Sequence, residues 1–194
     1  VSATNYSTNI FEGCERLTIL KIIGEGVMKD CKDETDQPWN SIRKQLQSIR
    51  IGDKVTTIGA YSFVETAITT IEIPASVTSI NTGAFKSSSI TTIILPKTVQ
   101  TIGAQVFETC LNLGSVTWNS VESIIRESTF KGCKSLISFT IPETIKTIDT
   151  HAFATSGLST IEIPSTVTNI NTKAFVNCTG MQSAKYPRNE ITTT

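Results

Sequence analysis

A phenylalanine recurs at a nearly fixed interval through most of the chain. The intervals are 22, 22, 23, 23 and 22 residues, between Phe63, Phe85, Phe107, Phe130, Phe153 and Phe175. The same interval carries an apolar alternation that ends in proline, as in Ile71-Glu72-Ile73-Pro74. A period this regular indicates one structural unit that is repeated along the chain, each copy burying its apolar face against its neighbours.

Periods of about 20 to 29 residues are typical of leucine-rich repeats, in which each unit donates one strand to a parallel sheet. Residues 71 and 73 share one strand face and should point inward, Ile68 should also reach the core, and Pro74 ends the strand because it has no N–H. The same register predicts strand cores at Leu20–Ile22, Ile49–Ile51, Ile71–Ile73, Ile93–Leu95, Val116–Trp118, Phe139–Ile141, Ile161–Ile163 and Ala184–Tyr186.

We therefore predict a leucine-rich-repeat solenoid, a curved, right-handed α/β superhelix dominated by β-structure. Its concave side should be a parallel sheet of about eight short strands spaced about 4.8 Å apart. Its convex side should consist of short turns, short strands and little helix, with the recurring Phe filling that half of the core. The high content of β-branched residues, 31 Thr and 26 Ile against 8 Leu, favours strands.

An isoleucine followed by Gly, Asn or Asp marks the next corner of each unit, as in Ile58-Gly59 and Ile80-Asn81. These residue types tolerate positive φ, which we expect the corner to require. Around Trp118 the proline is replaced by Asn119 and the corner reads Ile124-Ile125, so this turn should be built differently.

The chain is expected to form one domain over residues 1–194, with a degenerate repeat at 23–48. In this stretch, residues 24–37 are polar and acidic, and Asp36-Gln37-Pro38-Trp39 reads as a helix start. Trp39, Ile42 and Leu46 would then share one helix face. We interpret 23–48 as an inserted loop and a short helix.

Composition excludes several functions. The 17 basic and 17 acidic residues cancel, so the chain lacks the positive field that nucleic acids or anionic membranes select. No apolar run is long enough to span a membrane. The chain opens at Val1 without an initiator Met or a secretory segment, which favours a processed or trimmed piece.

The repeat resembles the BspA-like, treponemal-type leucine-rich-repeat family. Phe130-Lys-Gly-Cys133-Lys-Ser-Leu136-Ile-Ser-Phe139-Thr-Ile141-Pro142 is close to a consensus unit of that family, and Phe11-Glu-Gly-Cys14-Glu-Arg-Leu17 opens another. The similarity covers nearly all of residues 11–187. It implies a surface or secreted protein of the kind that mediates adhesion and host-protein binding, and it transfers no binding residue, because the matching positions are structural.

Reactive side chains do not converge on a catalytic or metal site in the sequence, and no cofactor is expected. Cys14, Cys110, Cys133 and Cys178 each follow a repeat Phe by three residues and should be buried free thiols. Cys110 and Cys133 lie in adjacent turns and could be bridged, whereas Cys31 in the insert should be the most exposed thiol. His151, the single histidine, occupies a variable surface position.

Two glycosylation sequons also stand in the chain, Asn5-Tyr-Ser7 and Asn177-Cys-Thr179, although Cys178 should face inward.

The outward residues of the predicted strands form the one continuous surface that the register places. One row consists mainly of hydroxyl residues: Ile19, Ser48, Thr70, Thr92, Ser115, Ser138, Thr160 and Ser183. The other row supplies the candidate ligand-binding residues: Lys21, Arg50, Glu72, Ile94, Thr117, Thr140, Glu162 and Lys185.

From this surface we predict a non-enzymatic protein-interaction module, part of a cell-surface or secreted adhesin that binds a host or extracellular-matrix protein. The alternative is a structural spacer that displays another domain, since Ser and Thr also suit a sheet face without any ligand. A hydrolase is a third and weaker possibility. Repeat arrays need polar caps, and neither end supplies one, so self-association through the ends is a further expectation.

Overall fold

The fold is described for residues 9–186 in a computed structural model, and Asn5 and Pro187 therefore lie outside the described residues. It is a parallel-strand solenoid with almost no helix, as the repeat predicts. The strands run in chain order: β1 (Ile19–Ile22), β2 (Gly26–Val27), β3 (Ser48–Ile51), β4 (Val55–Ile58), β5 (Ser79–Ile80), β6 (Thr92–Leu95), β7 (Thr101–Ile102), β8 (Ser115–Trp118), β9 (Ile124–Ile125), β10 (Thr147–Ile148), β11 (Thr160–Glu162), β12 (Asn169–Ile170) and β13 (Ser183–Lys185). No helix among the described residues has the length and apolar content to cross a membrane.

The predicted sheet is formed by β1, β3, β6, β8, β11 and β13, and we call it the first ladder. Its strands are joined in pairs rather than as one continuous sheet. β1 pairs with β3, β6 with β8 and β11 with β13, all parallel. Segments 71–73 and 139–141 follow the same path with the predicted alternation of burial, but they are not strands and make no backbone hydrogen bond to a neighbouring turn within residues 9–186. The two interruptions separate the three pairs.

The ring column of the core continues through both interruptions of the ladder. Successive Phe rings from Phe63 to Phe175 stack with centroids 5.3 to 5.8 Å apart.

The remaining strands, which have two residues each except the four-residue β4, form a second parallel ladder at the corner that follows the first ladder. β2, β4, β5 and β7 pair in that order, as do β9, β10 and β12. The expectation of positive φ at this corner is wrong, because Gly59, Asn81, Gly103, Asp149 and Asn171 are not among the positive-φ residues.

These corner residues meet other requirements. A Cβ on Gly59 would lie 2.4 Å from the backbone oxygen of Lys29, so the adjacent turn leaves room only for glycine. Asn171 donates from Nδ2 to Oδ1 of Asp149 at 2.8 Å, and this hydrogen bond holds the pKa of Asp149 below its usual range. The residue type at this corner is therefore determined by the close approach of the adjacent turn or by a side-chain hydrogen bond to it.

Left-handed residues occur instead on the flank that carries the Phe, two positions before and two positions after the ring. Gln105 and Thr109 flank Phe107 with φ of 60° and 57°, and His151 and Thr155 flank Phe153 with 57° and 55°. The rings between them are fully buried from Phe63 to Phe153, as predicted. Left- and right-handed residues alternate on this side of the solenoid, which we call the Phe flank. Its backbone N–H groups therefore point along the solenoid axis.

The insert packs against the first repeat turns through its aromatic and aliphatic side chains. Its helix is a short 3₁₀ helix, Asn40–Gln45, which starts one residue after Trp39. Trp39, Ile42 and Leu46 are all buried. The Trp39 ring stacks on Phe63 at 5.8 Å, and its Nε1 donates to the Ser62 carbonyl at 2.9 Å. Trp39 thus takes the place of the repeat Phe in the degenerate turn.

The turn after Trp118 is indeed built differently. Buried Glu122 takes over the corner, where its Oε1 accepts the backbone N–H of Ser123 at 2.9 Å and its Oε2 accepts that of Ile102 at 3.3 Å. Arg126 balances the charge from 3.2 Å. A carboxylate with its own hydrogen bonds replaces the proline turn used elsewhere.

A second buried carboxylate connects three turns on the Phe flank. Glu108 has a side chain only 9% exposed and lies 2.9 Å from Lys131 Nζ and 3.2 Å from Lys86 Nζ. Lys86 also pairs with Glu34 of the insert at 2.7 Å. Burial by itself would raise the pKa of Glu108, but hydrogen bonding and charge from the two lysines outweigh it and hold this pKa below its usual range.

Candidate functional site: the strand face

The strand face is the surface formed by the outward residues of the first ladder, in the two rows given above. All sixteen side chains are solvent-exposed except Ser48, which is half-buried. Of the residues predicted to point inward, Ile49, Ile93 and Ile161 are at most 4% exposed, whereas Ala184 and Tyr186 of the last described turn are exposed. The inward assignment therefore holds in the inner turns and is wrong for Ala184 and Tyr186, while the role of the outward residues in binding remains a prediction.

Charge on the strand face is concentrated towards its two ends. Lys21 and Arg50 are register partners on β1 and β3, and Glu72 follows in the next turn. At the other end, Glu162 and Lys185 are register partners whose charged groups lie 3.5 Å apart. Both side chains of this pair are largely exposed, so solvent screens the pair and it contributes little to stability.

The middle of the face is neutral. Ile94 and Thr117 are register partners on β6 and β8, and Ile94 is 62% exposed. Ile19, at one end of the face, is 60% exposed, so Ile94 is the apolar contact that the middle of the face offers.

Two clefts open on the strand face where the first ladder is interrupted, and the sequence did not indicate them. The first, of about 510 Å³, lies between segment 71–73 and β6 and brings Glu72 and Ile94 together. The second, of about 370 Å³, lies between segment 139–141 and β11 and brings Thr140 and Glu162 together with Glu143. Four of the eight candidate residues thus line one of these two clefts, and Glu143 is an addition to them.

An apolar cleft of about 160 Å³ was also missed, at the first turn of the solenoid. Ile10, Phe11, Val27 and Trp39 contribute to its lining, with Lys21 of the strand face at one side. It exists because the insert replaces a regular turn here. The length of the insert is the only sequence signal that could have drawn attention to it.

Cysteine exposure corrects two expectations. All five thiols are free, so Cys110 and Cys133 are not bridged. Cys14 is exposed, since no turn among residues 9–186 precedes it. Cys31 is buried instead, with its backbone N–H bonded to the Ala60 carbonyl, and burial raises its pKa to about 12, helped by Asp36 and Asp30.

The remaining cysteines behave as a structural ladder. The thiols of Cys110, Cys133 and Cys178 each donate to the carbonyl of the Phe one turn earlier, at 3.0 to 3.1 Å. Burial raises the pKa of Cys110 to about 11 and that of Cys133 well above its usual value. Such thiols are poor nucleophiles at neutral pH.

Other candidate chemistry stays dispersed. Within residues 9–186, no group of three or more His, Cys, Asp or Glu is arranged to hold a metal ion. His151 occupies one of the left-handed positions on the Phe flank, with φ of 57°. Asn177 and Thr179 of the second sequon are exposed and Cys178 between them is buried, as expected.

The chain is similar to solved bacterial leucine-rich-repeat structures. A leucine-rich repeat protein from Bacteroides ovatus matches with a TM-score of 0.65 at 22% identity, over 90% of this chain and 56% of that one. A leucine rich cell surface protein from Faecalibacterium prausnitzii matches with a TM-score of 0.50 at 27% identity, over 93% and 62%. The pneumococcal vaccine antigen PcpA matches with a TM-score of 0.50 at 17% identity, over 91% and 62%.

This chain therefore spans about 56 to 62% of the length of these solved proteins. No curated protein matches it significantly. The sequence profile of the BspA type leucine rich repeat region matches in six copies over residues 40–124 and 109–194, which together cover most of the chain. With the repeat, the ladders and the stacked Phe core, this match shows that the chain belongs to the BspA-type leucine-rich-repeat family.

Proposed function

We propose that the chain is a non-enzymatic protein-interaction module of a cell-surface or secreted adhesin, which binds a host or matrix protein through the strand face. The observation that carries the proposal is the strand face itself. It is a row of exposed side chains over a buried core, carried by three hydrogen-bonded strand pairs, with a cleft at each of the two interruptions. A rigid surface loses little conformational entropy on binding, which favours affinity.

The comparisons support a surface location without testing it for this chain. The Faecalibacterium prausnitzii relative is described as a cell surface protein, and PcpA as a vaccine antigen. Leucine-rich repeats present extended binding surfaces of this kind. A surface location is therefore part of the proposal.

The first cleft is the expected centre of binding. Glu72 and Ile94 line it, and Arg50 lies one turn away on β3. An apolar anchor beside opposite charges is the arrangement expected of an interface centre, in which a few residues carry most of the binding energy. Because the chain is neutral overall, binding should depend only modestly on salt.

The test exchanges charge on the strand face while the fold and the net charge stay constant. The variant is Arg50→Glu with Glu72→Lys, and the matched control is Lys97→Glu with Glu127→Lys, two exposed residues off the strand face. Each protein is used to capture partners from detergent-solubilised host-cell surface and matrix proteins. Capture should be lost only with the first pair.

Two other results would contradict the proposal. Equal capture by both pairs would move the binding site off the strand face. Capture by none of the proteins, including wild type, would favour the structural spacer. Ile94→Glu provides an independent check at the first cleft, since Ile94 is exposed and its replacement leaves the core intact.

A further inference from the structure

One five-residue sequence occurs twice on the strand side of the solenoid with different backbone hydrogen bonding. The two copies are Thr70-Ile71-Glu72-Ile73-Pro74 and Thr160-Ile161-Glu162-Ile163-Pro164. In the second copy, which contains β11, the Ile163 N–H donates to the Lys185 carbonyl of β13 at 2.9 Å. In the first copy, residues 71–73 make no backbone hydrogen bond to a neighbouring turn within residues 9–186. The same local sequence is therefore compatible with a bonded and with an unbonded ladder.

The missing bonds are confined to one side of an inner turn. On the Phe flank, the Phe63 N–H donates to the Ala84 carbonyl at 2.8 Å and the Phe85 N–H to the Val106 carbonyl at 3.0 Å. In the second ladder, β5 pairs with both β4 and β7. The turn that contains segment 71–73 is thus held to both of its neighbours on two sides, and only its strand side is free to move.

The groups that would close the ladder already lie in register. Just before the two segments, the Thr91 N–H donates to the Thr69 carbonyl at 2.8 Å, which sets an offset of 22 residues between the turns. With this offset, the bond equivalent to that between Ile163 and Lys185 joins the Ile73 N–H to the Ile94 carbonyl. Glu72 and Ile94 line the first cleft from its two sides.

The Ile94 carbonyl also points towards segment 71–73. Its neighbour Leu95 directs its carbonyl to the following turn, where it accepts the Asn119 N–H at 3.0 Å. Successive residues of a strand direct their backbone groups to opposite edges, so those of Ile94 face the preceding turn. Closing the ladder therefore requires approach of the two segments without any change of register.

We propose that the first ladder opens and closes at segment 71–73, so that the strand face alternates between a form with the first cleft and a form in which the sheet continues into β6. In the open form, water in the cleft binds the free N–H and carbonyl groups. Closing exchanges these bonds for protein–protein bonds, which differ little in free energy from bonds to water. Both forms are therefore accessible to the folded protein.

The same argument applies at the second cleft, where segment 139–141 also lacks backbone bonds to its neighbouring turns and ends in Ile141-Pro142. Closing at segment 71–73 removes the first cleft, the expected centre of binding. This consequence rests on the proposed function. The measurements that test the opening itself involve no partner, so their outcome is independent of whether the strand face binds one.

Amide hydrogen exchange of Ile73 and Ile163, followed by NMR on the full 194-residue chain, compares the two copies directly. Both residues are preceded by Thr-Ile-Glu and followed by Pro, so their intrinsic exchange rates match. Ile73 exchanges at least about tenfold faster than Ile163, because its N–H is open to water in the cleft form. The amides of the paired strands β6 and β8 give a second reference within the inner turns.

A disulfide across the first cleft then closes the ladder. Glu72→Cys with Ile94→Cys is made in a Cys14→Ser background, so that no other exposed thiol competes. A disulfide needs Cα atoms about 4.4 to 6.8 Å apart, and paired strands lie about 4.8 Å apart. After reaction with oxidised glutathione, exchange of Ile73 slows to within about threefold of Ile163.

Two controls separate closure from other effects of the variant. The reduced form of the same protein has the same sequence, and its Ile73 exchanges as fast as in wild type. Ile94→Cys with Thr117→Cys joins register partners of the bonded pair β6 and β8. This pair also forms a disulfide, but it leaves exchange of Ile73 fast because it does not span the cleft.

Three results would overturn the proposal. Equal exchange of Ile73 and Ile163 in wild type shows a ladder that is permanently closed. A disulfide that forms across the first cleft without slowing Ile73 shows that segment 71–73 cannot bond to β6. Failure of that disulfide to form, when the control pair forms one, shows a cleft that is permanently open.

Discussion

Replacement of Phe85 by alanine tests whether the stacked ring column holds the solenoid together. Phe85 is fully buried and lies between two rings, with centroids 5.4 Å from Phe63 and 5.8 Å from Phe107. The change deletes a whole ring from the middle of the column. Neighbouring turns are fixed by backbone hydrogen bonds on the Phe flank and cannot close the space, so a cavity remains.

The expected loss follows from burial and stacking. Truncation of a fully buried Phe to Ala costs about 3 to 5 kcal/mol. Of this, the two ring contacts account for about 0.5 to 1.5 kcal/mol each. Phe175 is only partly buried and stacks on one ring, so Phe175→Ala should cost about half as much or less.

Equilibrium unfolding in urea measures these differences. The free energy of unfolding should fall most for Phe85→Ala, less for Phe175→Ala, and by no more than about 0.5 kcal/mol for the exposed-face control Thr117→Ala. A domain of this size has only about 5 to 15 kcal/mol to lose, so Phe85→Leu provides a milder variant if Phe85→Ala does not fold. Equal losses for Phe85→Ala and Thr117→Ala, or a larger loss at Phe175, would refute the reasoning.

Three further predictions concern the insert, the buried carboxylate and the thiols. Trp39→Phe keeps the ring stack but leaves the Ser62 carbonyl without its donor, so it should lower the free energy of unfolding by about 1 to 3 kcal/mol, and Trp39→Ala by more, both measured in urea. The pKa of Glu108 is lower in the folded than in the unfolded state, so the ionised side chain stabilises the fold above the unfolded pKa and this stabilisation is lost as pH falls through the folded pKa. In urea titrations from about pH 7 to about pH 3, the free energies of unfolding of wild type and Glu108→Gln should therefore converge. Native labelling with a thiol reagent should modify one cysteine quickly, and Cys14→Ser should remove that reaction, whereas fast labelling of Cys31 would contradict its burial.

Most of the fold could be predicted because one periodic pattern determines it. The interval between phenylalanines sets the length of a turn, and the alternation in Ile71-Glu72-Ile73 fixes which side chains face inward. Neighbouring turns then have little freedom, since each must bury the same apolar face against the next. The same logic placed Trp39 in the core of the insert, where an indole replaces the repeat phenyl ring.

For the candidate site, the sequence predicted which residues point outward but not the shape of the surface that they form. The register determined that Glu72 and Ile94 point outward, but not that the ladder is interrupted between them and opens a cleft. Glu143 was overlooked because it follows a proline and belongs to no strand, yet the turn brings it to the second cleft. These features depend on distances between turns, which a repeat pattern does not contain.

The sequence by itself determined the turn length, the inward and outward rows of the strand face, and the ring column, because each follows from side-chain polarity at a fixed period. Only the tertiary structure decided where left-handed residues lie, which thiols are covered, and which way the backbone donors of the Phe flank point. Residues such as Gln105 and Thr109 have no intrinsic preference for positive φ. They adopt it because a turn stacked between two others must direct its N–H groups towards the next turn and its carbonyls towards the previous one.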